Sequence, residues 1–130
     1  MIKKPTLKTA IIVMSVTMVI LYAFGCRLVF GSVRHIATDA QAIYGGEPVP
    51  ALITLVQDEE APFEKRNSAI WALGQIGDER ARPALKGLYT NETQAAPYDS
   101  TSYIVQHLVE KAVKQTDRFS AMRWMYRWLN

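Results

Sequence analysis

A single cysteine, Cys26, stands in 130 residues, so no intramolecular disulfide can staple this chain. Histidine is nearly as scarce. His35 and His107 are the two present, and no Cys/His cluster supplies the three or four convergent ligands a metal site needs. His107 and Glu110 share a helical face as an H-x-x-E pair, which by itself reads as a solvated face. No nucleophile elbow and no phosphate-cradling glycine loop occurs. No catalytic residue, cofactor, metal or small-molecule substrate is therefore expected, and an enzyme is not.

Charge is missing from one stretch altogether. From Thr9 to Cys26 the run TAIIVMSVTMVILYAFGC carries no ionisable Asp, Glu, Lys or Arg. Its 18 residues would span ~27 Å as a helix, close to the ~30 Å of bilayer hydrocarbon. Lys3, Lys4 and Lys8 precede it and Arg27 follows, the flanking expected of a membrane anchor or a signal sequence. Ala23-Phe24-Gly25-Cys26 resembles the lipobox of bacterial lipoproteins, which makes Cys26 a candidate lipidation site. A plain transmembrane helix ending in cysteine fits the same residues. Either form places the protein at a membrane, single-pass or lipid-anchored. Lys3, Lys4 and Lys8 slightly outweigh Arg27 and Arg34, which predicts the N-terminus inside and the remainder on the extracytoplasmic side.

The net charge of +3 conceals an uneven distribution. Residues 1–30 carry four basic side chains and no acid, whereas residues 31–116 carry eight basic against eleven acidic, a net of −3. In 117–130, Arg118, Arg123 and Arg127 face only Asp117, a net of +2. A nucleic-acid binder concentrates cations on its reading surface to neutralise phosphates. This chain confines its excess to the two ends, and nucleic acid is disfavoured as a partner.

Beyond the anchor, SVRHIATDAQAIY (32–44) predicts a helix with Val33, Ile36, Ala40 and Ile43 on one side, stopped by Gly45-Gly46. Val49-Pro50-Ala51-Leu52 then starts an element whose pattern returns in Arg82-Pro83-Ala84-Leu85. The offset from Pro50 to Pro83 also matches Leu55 with Leu88 and Glu59 with Glu92, so the chain holds an internal repeat. The ankyrin signature is absent. The tetratricopeptide pattern fails because Trp71-Ala72-Leu73-Gly74 leaves one residue too few between Trp and Leu. Val49–Leu52, Arg66-Asn67-Ser68-Ala69, Ala72–Asp78 and Pro83–Leu85 together resemble the short bacterial HEAT-like repeat, the type also found in phycobilin lyases.

That resemblance implies an all-α fold: a short right-handed α-solenoid of antiparallel helix pairs, preceded by the N-terminal transmembrane or signal helix. The organisation expected is a basic segment (1–8), the anchor or signal (9–30), a juxtamembrane helix and turn (31–48), the repeats (49–116) and a C-terminal aromatic-basic cap (117–130). On a wheel with Ala69 at zero, Leu73 falls at about 40°, Ile76 at about 340° and Ala72 at about 300°. They form one apolar face, with Gly77-Asp78 ending the helix and capping the next segment. A later helix over 102–114 gathers Ile104, Val105, Leu108, Val109, Ala112 and Val113 on one side.

Trp71 stands at about 200°, opposite the apolar face, with Asn67 and Gln75 one turn either side. If the two second helices are neighbours, Asn67, Trp71, Gln75, Tyr103 and His107 form a concave strip for a protein partner, with the indole as its anchor. Cover by the chain's own N-terminal helix or C-terminal tail is the other reading of Trp71. The tail DRFSAMRWMYRWLN has two readings as well: Trp124, Arg127 and Trp128 suit a membrane interface, while the whole segment suits a helix closing the solenoid. The function expected is a membrane-tethered helical-repeat scaffold or adaptor. An accessory subunit of a lyase-type enzyme built on such repeats is the alternative.

Overall fold

The structure is a computed structural model that describes residues 6–89 and 104–117. Its elements are α1 (Leu7–Tyr44), α2 (Pro48–Gln57), α3 (Phe63–Ile76), a 3-10 turn (Glu79–Ala81), α4 (Arg82–Gly87) and α5 (Gln106–Asp117). Every described element is helical. The chain divides into two compact units, Met1–Ser32 and Val33–Asn130.

In the first unit, α1 presents its apolar side chains without cover. Ile11, Val16, Leu21 and Phe24 are all more than half exposed. The two hydroxyls within the run satisfy themselves locally, Ser15 donating to the Ile11 carbonyl at 2.9 Å and Thr17 to that of Val13 at 2.8 Å. Such back-bonding leaves no polar hydrogen seeking water, as an apolar surrounding requires. The helix is long and apolar enough to cross a membrane. α1 runs through the boundary between these units as one helix.

In the second unit, the last turns of α1 bury Val33, Ala37 and Ala40. The expected face differed: Ile36 is only partly buried, and Ile43 is 58% exposed. The helix turns two alanines inward and leaves one of its isoleucines to solvent. Small side chains permit closer backbone approach than branched ones, so apolarity alone did not identify the buried side. Gly45 and Gly46 then end the helix with φ of 71° and 75°, values that side-chain-bearing residues avoid.

α2 starts with proline in its first turn, where no amide is needed, and buries Val49, Ala51, Leu52, Leu55 and Val56. It packs on α3, which in turn packs on α5, while α4 packs on α5. α3 ends as expected: Gly77 adopts the left-handed conformation (φ 66°), and the Asp78 carboxylate accepts the Arg80 amide at 2.9 Å. Arg80 also reaches back to Glu47 at 3.3 Å, a residue 33 positions earlier at the start of α2. That ion pair joins corresponding points of the two sequence repeats.

Two arginines close helix ends, one buried and one partly exposed. Arg66, 7% exposed, donates from Nε to the Val56 carbonyl at 3.0 Å, satisfying one of the last carbonyls of α2. Arg82 does the same for α5, donating from Nη2 to the Thr116 carbonyl at 2.8 Å while pairing with Asp117. At the other end of α5, the Gln106 amide donates to the Leu88 carbonyl at 3.1 Å. These two bonds set α4 and α5 antiparallel.

Candidate functional site

The geometry of α3 decides which of its side chains a partner could reach. This helix is packed on several sides at once. Ala69, Ile70, Ala72, Leu73 and Ile76 are buried, as the apolar periodicity predicts. Asn67 and Gly74, at about 160° and 140° on the same wheel, are buried too, and they face α5. A methyl added to Gly74 would stand 3.0 Å from both Cα and Cβ of Ala112, so glycine here lets two backbones approach.

Asn67 therefore differs from its expected place in an open strip. It is 3% exposed, and its Oδ1 accepts the Val105 backbone amide at 2.9 Å, at the entry to α5. The reason is geometric. A helix stacked between neighbours is covered on its flanks as well as on its core face, and a polar flank residue is buried if it has a hydrogen-bonding job. The wheel distinguished only an inside from an outside.

Apart from Phe63 and Lys65 in its exposed first turn, what remains open on α3 is a narrow stripe from about 200° to 260°: Glu64, Ser68, Trp71 and Gln75. Glu64 is exposed, and the other three are partly so. On α5, His107 is exposed, in agreement with its expected facing, while Val105, Val109, Ala112 and Thr116 are buried. α5 begins at Gln106 rather than near 102 and runs to Asp117. Tyr103, Trp124, Arg127 and Trp128 lie outside the described residues. Cys26 is a partly exposed free thiol in α1.

Two cross-points fix the register of α3 against α5. Asn67 meets Val105, 38 residues on, and Gly74 meets Ala112 at the same separation. Equal separations mean parallel helices in step. Trp71 thus stands level with Val109, and Gln75 with Val113. Trp71, Gln75 and His107 come onto neighbouring helices with their open sides adjacent, and Asn67 supplies a strut between those helices instead of a contact.

Two polar groupings outside the strip were not foreseen. The Tyr44 hydroxyl donates to Asp58 Oδ2 at 2.5 Å, while Asp58 Oδ1 accepts the Glu60 amide at 3.0 Å. The tyrosine bond, aided by that amide, holds the Asp58 carboxyl below its ordinary range, and the same bond raises the Tyr44 hydroxyl above its own. On the side of α5 away from α3, a groove of about 460 Å³ is lined by Lys86, Tyr89, Glu110, Val113 and Lys114. Lys114 hydrogen-bonds Glu110 across one helical turn and lowers that carboxyl. Among the described residues no group of three or more His, Cys, Asp or Glu could hold a metal ion.

Compared with known proteins, the chain matches a family model described as HEAT repeats over residues 30–96, which is 67 of its 130 residues. The match starts inside α1, well before the first repeat read from the sequence at 49, and so takes in the buried turns at Val33, Ala37 and Ala40. Neither a curated protein nor a solved structure matches the chain.

Proposed function

The chain belongs to the HEAT-repeat family, and on that premise we propose that it is a membrane-tethered adaptor that binds another protein. HEAT repeats generally act as protein-interaction scaffolds and are typically non-catalytic. We read α2–α3 and α4–α5 as two helix pairs of a short right-handed solenoid. The uncharged run of α1 is its membrane segment, with the repeats on the extracytoplasmic side. The partner is taken up on the open stripe of α3, at Trp71 and Gln75, with His107 beside them on α5. The observation that carries this reading is that stripe: past its first turn α3 is buried on its other sides, yet it keeps a tryptophan partly open to solvent. A large aromatic supplies contact area at little entropic cost, which is why such residues dominate binding energetics.

A photoreactive residue at Gln75 of the full-length protein in its membrane tests the reading. It should cross-link one protein, and Trp71→Ala should weaken that capture by ~2 kcal/mol or more without changing the thermal melt. Trp71→Ala melting as badly as a core variant would make the indole structural and remove the proposal's anchor. Recovery of a lyase-type enzyme whose activity needs this chain would favour the accessory-subunit alternative. The membrane segment should resist alkaline extraction. A reporter fused after Asn130 that is active only in the cytoplasm would overturn the topology. If Cys26→Ser leaves the mobility and lipid labelling unchanged, lipidation is excluded.

A further inference from the structure

The strip carries a second chemical feature beside its indole. On a wheel with Val109 at zero, Ala112 and Gln115 lie at about 300° and 240° and face α3, as their approach to Gly74 shows. Moving round the helix from there, Lys111 falls at about 200°, His107 at about 160° and Lys114 at about 140°. All three are exposed. They therefore line the open face of α5 at spacings of four and three, with Lys111 nearest to α3. In the shared register Lys111 stands level with Leu73, between the levels of Trp71 and Gln75. Lys114 is engaged by Glu110, but Lys111 has no ion-pair partner among the described residues.

Lys111 therefore sets one unengaged cation beside the tryptophan, with the His107 imidazole one turn before it, in a segment (31–116) whose net charge is −3. Glu64, the acid of the open stripe, stands nearly two turns before Trp71, so the charge level with the indole is that of Lys111, a point of attraction for a partner's carboxylate.

We propose that the α3–α5 strip takes an acidic amphipathic segment of the partner protein, whose apolar side rests on Trp71 and whose carboxylates meet Lys111 and His107. This rests on the strip being the binding face, and the test separates the two. The full-length protein in neutral-lipid nanodiscs, with Trp124→Phe and Trp128→Phe so that Trp71 alone emits, is titrated with two synthetic helical peptides. One carries leucines flanked by glutamates, and the other has lysine at every glutamate.

The acidic peptide should shift the Trp71 emission to the blue, saturably, and bind at least tenfold more tightly than the basic one. Its affinity should fall several-fold as salt rises through the range where the Debye length shrinks from ~10 to ~3 Å. Lys111→Glu should reverse the preference between peptides, while Lys65→Glu, on an exposed α3 position outside the stripe, should leave it. Equal binding of both peptides through Trp71 overturns the charge assignment and leaves the strip standing. Neither peptide moving the Trp71 emission overturns the strip itself. A response to vesicles of phosphatidylglycerol but to neither peptide assigns the face to anionic lipid and overturns the proposal.

Discussion

Replacing Gly74 with alanine opposes two effects whose balance the structure decides. In an exposed helix interior the exchange gains ~0.8–1.0 kcal/mol, because alanine loses less backbone entropy on folding. At this position the new methyl would meet Gln115 Oε1 at 2.6 Å and Ala112 Cα and Cβ at 3.0 Å. Carbon pairs rest at ~3.5–4.0 Å, so the methyl intrudes by roughly half an ångström. The glutamine end can swing aside, but Ala112 Cα belongs to the backbone of α5 and moves only with the helix. Overpacking of this kind costs ~1–3 kcal/mol, and it outweighs the propensity gain.

The expected result is a net loss of about 1 kcal/mol for Gly74→Ala, and ~2–3 kcal/mol for Gly74→Val, whose propensity gain is smaller and whose bulk is greater. Gly87→Ala is the control, since nothing lies within 4 Å of a Cβ there; it should be neutral or slightly stabilising. Urea melts of the full-length protein in a mild detergent measure all three. If Gly74→Ala stabilises as much as Gly87→Ala, α3 and α5 do not approach as closely as described.

Leu73 is fully buried, and Leu73→Ala should cost ~2–5 kcal/mol in the same melts; a negligible shift would mean that α3 faces otherwise. Asn67→Ala leaves the buried Val105 amide without its acceptor, a loss of ~1–3 kcal/mol. Faster hydrogen exchange at the Val105 amide should accompany it, and exchange unchanged from the parent would refute the strut. The Tyr44–Asp58 bond sets both limbs of a pH profile. Asp58 is lowered when folded, so its contribution is complete above its ordinary value of 3.8 and is lost as pH falls through the folded value. Tyr44 is raised, so its contribution is complete below its ordinary value of 10.0 and is lost as pH climbs through the folded one. Tyr44→Phe should flatten both limbs of melting temperature against pH, and a profile identical to the parent's would remove the bond from the account.

How much was readable in advance follows from which constraint each residue obeys. Gly77-Asp78, Gly45-Gly46 and Pro50 in the first turn of α2 act through local backbone rules, so their roles were plain from the string of letters. The apolar face around Leu73 was equally plain. Asn67 and Gly74 answer to a neighbour 38 residues away, and no local rule exposes that. The second repeat blurred for a related reason. Glu47 and Arg80 are matched at 33 residues, whereas α3 and α5 are matched at 38. Five additional residues therefore lie between the helices of the second pair, and a fixed-period comparison loses α5. The candidate strip was half readable: Trp71 is partly open and His107 exposed, which their spacing suggested, but their register across two helices came only from the cross-points.

The narrowness of the open stripe on α3 has a consequence for how such a protein can change over generations. Most positions of the helix are pinned by neighbours on the core side or by α5, and a substitution there is removed by selection for folding before its effect on recognition matters. Beside Phe63 and Lys65 of the first turn, Glu64, Ser68, Trp71 and Gln75 escape that filter. Variation can accumulate at these few places while the surrounding architecture stays fixed. Relatives sharing the buried set at 69, 70, 72, 73 and 74 would then diverge chiefly at 64, 68, 71 and 75, and each lineage could acquire a different partner through a handful of substitutions.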